Sequence, residues 1–254
     1  MKQSLITAAA ALIIAAAATP ALAGDDFGLW TSIGATKKIN SQWSVGAEAE
    51  LRLCDNWGAV ERWAVGASAA YKPTKYIKLE AGYKFIDAHR TRRYLSSAGN
   101  YKWLPYYWSP RHRFYAGVTG TLPVGNFEFS LRERWQYTYR PEVTTPCWNF
   151  GDDATYTSGK QDDDKAIDGT GKNVLRSRLQ AAYKIPRSGV EPYVSAELYT
   201  TDRLDKVRYT AGVEWKINRQ HALDLFYRYQ DVHVDTDEPS ENTHALGISY
   251  KFKF

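Results

Sequence analysis

Two stretches set histidine beside carboxylates at spacings that could move a proton: Asp87 with His89, and Asp231-Val-His233-Val-Asp235-Thr-Asp237. In an extended strand Asp231, His233, Asp235 and Asp237 share one face, which meets the reach requirement of acid–base partners. Polar side chains are equally what a strand carries where it leaves an apolar layer. No serine lies in a recognisable nucleophile motif, so no residue is assigned as catalytic. Asp152, Asp153, Asp162, Asp163, Asp164 and Asp168 form an acidic run without the alternating ligands and positioned glycine of a calcium loop. It reads as a solvated charge run, with no metal or cofactor implied. A looser role, holding divalent ions shared with lipopolysaccharide phosphates, stays open. Cys54 and Cys147 are the only cysteines, too few for a disulfide scaffold but enough for one bridge in a secreted chain.

These residues take their meaning from the elements that carry them, and those elements have a period of two. From His244 to Phe254, Leu246, Ile248, Tyr250, Phe252 and Phe254 alternate with Ala245, Gly247, Ser249, Lys251 and Lys253. A helix would scatter the lysines, whereas a strand aligns them. The same split runs through 206–217 and 174–185, with Ser177 a blemish on the apolar row. It recurs with more noise at 43–53, 62–72, 77–85 and 127–139, and in segments starting at Phe27, Arg111, Pro192 and His221. In 127–139 Glu133 falls on the apolar face, where a bulge or a position near the membrane interface is expected.

Mean hydropathy is −0.50 and no mature segment is apolar for long enough to make a spanning helix. A transmembrane strand shows only alternate residues to lipid, so a barrel averages out as polar. Aromatics make up 14% of the chain, with 18 Tyr and 9 Trp, enough for two interfacial girdles. The net charge of +5 has no long basic run behind it, so nucleic acid is not an expected partner. Lys2, the apolar run Leu5–Ala18 and Ala21-Leu22-Ala23 read as a signal peptide over residues 1–23, cleaved near Ala23. Residues 24–254 are then expected to form one transmembrane, antiparallel, up-and-down β-barrel domain in a bacterial outer membrane.

Pattern counting gives about eleven strands. Single-chain bacterial barrels use an even number, so ten to twelve are expected, with a misread N-terminal segment or a strand hidden in a long loop. Short turns at 39–42, 73–75, 123–126, 186–189 and 218–220 alternate with expected long loops at 54–59, 90–110, 140–172, 200–204 and 234–242. The short set would face the periplasm and the long set the exterior.

With the polar rows inward, the lumen collects Glu48, Glu50, Arg52, Arg62, Glu80, Arg113, Arg132 and Arg134. Arg176, Arg178, Glu197, Arg208, Glu214, Asp224 and Arg228 complete the set. Two readings are open: a salt-bridged structural core, and a pore whose arginine excess favours anions. An enzyme using the rim His and Asp residues is a second class. A third is a surface-binding protein acting through its long loops, including Tyr101-Lys-Trp103-Leu-Pro-Tyr106-Tyr-Trp108.

Several phrases carry a family likeness. Asp205-Lys-Val-Arg-Tyr-Thr-Ala-Gly-Val, His221-Ala-Leu-Asp-Leu-Phe-Tyr-Arg-Tyr and Leu246-Gly-Ile-Ser-Tyr-Lys-Phe-Lys-Phe are three of them. Trp30-Thr-Ser-Ile-Gly, Arg111-His-Arg-Phe-Tyr and Ser130-Leu-Arg-Glu-Arg are others. Together they resemble domain-of-unknown-function family 2490. The resemblance implies an outer-membrane barrel without an established activity, supplies no catalytic residues, and makes Arg-Glu-Arg part of a shared pattern. Tyr250, Phe252 and Phe254 resemble the C-terminal signal read by the barrel-assembly machinery. Expected partners are therefore that machinery, outer-membrane lipid and lipopolysaccharide.

Overall fold

In the computed structural model, residues 26–233 and 242–254 are described, and their regular structure is all strand. In chain order these are β1 (Asp26–Lys38), β2 (Trp43–Cys54), β3 (Ala59–Tyr71), β4 (Ile77–Leu95), β5 (Tyr101–Val124), β6 (Phe127–Arg140) and β7 (Val143–Asn149). They continue as β8 (Lys160–Ile167), β9 (Thr170–Tyr183), β10 (Val190–Thr200), β11 (Leu204–Lys216), β12 (His221–Val232) and β13 (Thr243–Lys253). The short turns are made by side chains that replace backbone partners. Asn40 accepts from the N–H groups of Gln42 and Trp43, Thr74 from Tyr76 and Ile77, and Asn218 from Gln220 and His221. The two-residue turn from β5 to β6 needs a positive φ, and Gly125 supplies it at +59°.

All thirteen strands belong to one sheet, and a β4–β5 pairing closes it. With β7 and β8 outside the ring, the wall has eleven strands. Successive wall strands alternate in direction, so the first and eleventh must run the same way. They do: β1 and β13 pair in parallel, from Asp26↔Thr243 to Thr36↔Lys253. Eleven lies within the expected ten to twelve, and the parity, open in the sequence, is odd. Strands do hide in a long loop, but they add nothing to the wall. Parallel pairing is slightly weaker per residue than antiparallel, and extra bonds reinforce this seam. Ser32 Oγ donates to Ser249 Oγ at 2.7 Å, and Phe254 exchanges backbone bonds with Thr36 and Lys38. The chain therefore enters β1 at the rim opposite the one where Phe254 ends.

The outer face carries exposed apolar residues such as Ile33, Val45, Leu51, Val65, Leu79, Leu131 and Leu179. A wall whose apolar row faces outward needs lipid to cover it. The inner face is polar, with small residues where rings cross it. A Cβ on Gly247 would lie 1.9 Å from the Phe226 ring, so that ring lies across the bare backbone.

The connections differ from the expected pattern. Segment 90–110 is mostly sheet: β4 and β5 run past the wall as one hairpin, with a bulge at Arg90/Arg92. Segment 140–172 holds the β7–β8 hairpin, which joins β5 at Lys102↔Asn149 and Trp103↔Trp148. Above the lipid neither face of a strand must be apolar, so these strands lack the alternation that marks the wall. The connections 55–58 and 201–203 are as short as the turns on the other rim. Glu133 sits at the middle of β6 in an unbroken ladder, opposite Val118 and Ser177. Neither a bulge nor an interfacial position accounts for it.

The seam is open to a direct check. With Cys54 and Cys147 replaced by serine, Ser32→Cys combined with Ser249→Cys should close a disulfide in the folded barrel and abolish its heat-induced gel shift. Two titratable thiols in the folded protein would contradict a parallel β1–β13 closure.

Candidate functional site

All fifteen charged residues expected inside lie on the inner rows fixed by the strand registers. Their centre is Glu197 of β10, only 4% exposed. Its Oε1 accepts from Arg132 Nη2, and its Oε2 accepts from Arg176 Nη2 at 2.8 Å and the Tyr199 hydroxyl at 2.9 Å. Arg208 Nη1 stands 3.6 Å from the same carboxylate and donates to the Tyr199 oxygen. A charge this deep needs both opposite charge and hydrogen bonds to offset its desolvation, and both are present. Glu50 is the second such acid: Arg52 Nε lies at 2.7 Å, Arg62 Nη2 at 2.5 Å and Lys84 Nζ at 3.4 Å.

Between these carboxylates lies Trp30, 5% exposed and on the inner row of β1. The guanidinium of Arg52 is 3.4 Å from its ring, with Arg228 at 4.9 Å and Arg208 at 5.0 Å. Stacking lets an arginine be covered while its edge still bonds a carboxylate. Trp30, Glu50, Arg52, Tyr199, Glu197 and Arg208 thus form a belt across the lumen, in the half nearer the extended hairpins.

Toward the short-turn rim the pairs are more exposed. Arg134 bonds Glu80 at 2.8 Å, Lys251 bonds Glu214 at 2.5 Å and lies 3.4 Å from Asp224, and Lys84 reaches Glu48 at 3.2 Å. Two cavities, of about 640 and 380 Å³, occupy this half. The larger extends from Lys72, Lys216 and Lys253 up to Trp30, Arg52, Glu50 and Glu197. The smaller stops at Arg113, Gln136 and Arg176. On the far side of the belt Arg90, Arg111 and Arg140 stand near one another, with the carboxylates of Glu61 and Asp87 among them. Arg113, at the inner end of the smaller cavity, donates to the Thr138 hydroxyl at 3.0 Å and makes no other side-chain hydrogen bond among the described residues.

The other candidates stay apart. His233 Nε2 and Asp231 Oδ2 are 3.4 Å apart, both partly exposed on the outer wall, while Asp235 and Asp237 lie outside the described residues. His89 stacks on Trp108 with ring centroids 4.9 Å apart. Among the described residues no group of three or more His, Cys, Asp or Glu converges to hold a metal. Two acids of the run are held by donors of the chain itself. Asp153 accepts from the hydroxyls and backbone of Thr155 and Thr157 and from Ser158 N–H, and those bonds, Thr155's first, hold its carboxyl below the usual range. Asp162 accepts from Lys102 at 2.8 Å and is lowered likewise.

The two cysteines form no disulfide. Cys54 ends β2 and donates weakly to the Ala59 carbonyl, whereas Cys147 is buried in β7 beyond β5. β2 and β5 are three strand spacings apart, roughly 14 Å, and bonded cysteines need Cα atoms within about 7 Å. Tyr250, Phe252 and Phe254 form an outward aromatic group with His221, which stacks on Tyr250 and meets Phe252 at 5.1 Å. Glu133 accepts from Ser177 Oγ at 2.6 Å on the outer wall. The two residues that break the apolar rows are therefore each other's partners.

The expected set leaves out Lys84, Lys206 and Lys251, although they lie on the polar rows, and a reading for charge misses Trp30, Tyr193 and Tyr199; all six line the lumen. Trp30 has a legible signal: it shares parity with Ser32, Gly34 and Thr36, the polar row, and opposes Leu29 and Ile33.

Residues 27–241 match the model of a family described as "Protein of unknown function (DUF2490)". No curated protein matches by sequence. Among solved structures, the translocator domain of autotransporter NalP from Neisseria meningitidis is similar at 10% identity and a TM-score of 0.54, covering 90% of each chain. The beta domain of the Bordetella autotransporter Brka is similar at 14% identity and a TM-score of 0.52, covering 82% of this chain and 79% of its own. At such identities the likeness is one of fold: an outer-membrane β-barrel.

The belt sets a stability order. Glu197→Ala, which strands three arginines, should lower unfolding stability by about 3–5 kcal/mol. Glu48→Ala, whose side chain is 46% exposed, should cost less than about 1 kcal/mol. Urea titration of the detergent-folded barrel reads both, and equal losses would contradict the belt as the anchor.

Proposed function

The chain belongs to the DUF2490 family, and we propose that it serves in the outer membrane as a narrow, gated conduit for small anions. One observation carries the reading: a cavity of about 640 Å³ lined by polar and charged side chains runs from the short-turn rim to a closed belt that is rich in arginine. A barrel of eleven strands lies between those filled by side chains and those that leave an open channel. Short turns belong on the periplasmic side of such barrels, so the cavity opens to the periplasm and the extended hairpins stand outside. The belt is the gate, and the surplus of arginine over carboxylate on and beyond it favours anions.

A second reading, a static salt-bridged envelope component, is favoured by the saturation of Glu197. Planar-bilayer recording under a KCl gradient separates them. The wild type should give rare, small steps, and Trp30→Ala frequent larger ones, with a reversal potential on the chloride side. Silence of both folded proteins, or cation selectivity, would overturn the conduit.

A further inference from the structure

We propose that the larger lumen cavity is a binding site for a small hydroxylated organic anion, a sugar carrying one carboxylate or phosphate, with Arg178 as its anchor. The inference deepens the conduit reading by naming a solute class, and its test does not need current to flow.

Arg178 is the surplus cation of the belt. In β9 it pairs in register with Glu197 on one side and Arg132 on the other. The donors that do reach Glu197 are Arg132, Arg176 and Tyr199. Arg178 makes no ion pair or hydrogen bond with another described residue, and its buried Nε has no partner. Its side chain lines the cavity. An inward guanidinium held by no ion pair, with Glu197 attracting it only from beyond bonding reach, is costly in a narrow wall, and its planar fork matches a carboxylate or phosphate.

Across the same cavity Arg228 also lacks a carboxylate. Its Nε bonds Thr210 Oγ1 at 3.0 Å, and its guanidinium stacks on Trp30 and Phe226. Between the two arginines runs an uncharged row. Arg228 pairs with Thr210, Thr210 with Ser195, and Ser195 with Gln180. All four line the cavity. Ser195 and Gln180 make no side-chain hydrogen bond within the described residues, so their donors and acceptors are at a ligand's disposal. Hydroxyl and amide groups at successive strand spacings, about 4.8 Å apart, suit a chain or ring of hydroxyls, and the Phe226 and Tyr193 rings suit its apolar face. The same cavity is also lined by Glu48, Glu50 and Glu197 and, nearer the short-turn rim, by Glu128, Glu191, Glu214 and Asp224. They oppose a second negative charge, so the ligand bears its charge at one end. The volume is that of an ordinary small-molecule site.

Isothermal titration of the full, detergent-folded barrel with gluconate and with glucose 1-phosphate, against uncharged glucose, tests this. At least one anion should bind, and glucose at least tenfold more weakly. Arg178→Gln should weaken the anion at least tenfold, Arg178→Lys by less, and Ser195→Ala with Gln180→Ala should narrow the preference for hydroxylated anions over acetate. Arg178→Gln should leave the unliganded barrel at least as resistant to urea as the wild type. Anion binding unchanged in folded Arg178→Gln, no heat with either anion, or a loss of unliganded stability in that variant would overturn the site. Binding without conductance would sink the conduit alone, and conductance without binding the site alone.

Discussion

One buried carboxylate organises this lumen. Glu197 faces inward from β10, between β9 and β11, and takes Arg132, Arg176 and the Tyr199 hydroxyl onto its two oxygens, with Arg208 close by. Those partners come from four strands, so the carboxylate ties β6, β9, β10 and β11 at one level. Removing the acid would leave several guanidinium groups in a narrow space without counter-charge. Trp30, reached by Arg52, Arg208 and Arg228, extends the same level across the seam to β1, β2 and β12. Occlusion of the lumen and anchoring of the wall thus rest on the same contacts.

The second constraint is parity. Eleven alternating strands can close only with one parallel pair, and β1 and β13 form it. That geometry puts the start of β1 and the end of β13 on opposite rims. It also places the inward Trp30 next to β13, where the small residues Ala245 and Gly247 leave room for the Trp30 and Phe226 rings.

Much of this was legible in the alternation of side chains. A period of two fixes which residues face inward, because one face must meet lipid and the other must not. The charged rows of β2, β9 and β11 follow directly from it. Glu133 and Ser177 read singly as faults in two apolar rows. Only the register of β6 on β9 shows them to be a pair, and register is a property of two strands that neither one carries alone. The β4–β5 extension and the β7–β8 hairpin escaped because strands standing clear of the bilayer need no apolar row. A Cys54–Cys147 bridge is compatible with both lying in loops, and it fails on wall geometry that loop positions do not reveal. Pairing inside the lumen was equally hidden: composition offers Glu197 many arginines, and side-chain packing decides which three reach it, Arg178, its cross-strand neighbour, not among them.

In the proposed conduit the belt seals one end of a cavity open at the other. Thiol labelling of Ser195→Cys, in a protein with Cys54 and Cys147 replaced by serine, tests this most directly. Ser195 lines the cavity on the short-turn side of Glu197. A membrane-impermeant maleimide should label it readily when applied to the short-turn face of the reconstituted barrel. The same reagent on the hairpin face should fail until Trp30→Ala is added. Equal labelling from both faces with Trp30 in place would show an open lumen and contradict the account.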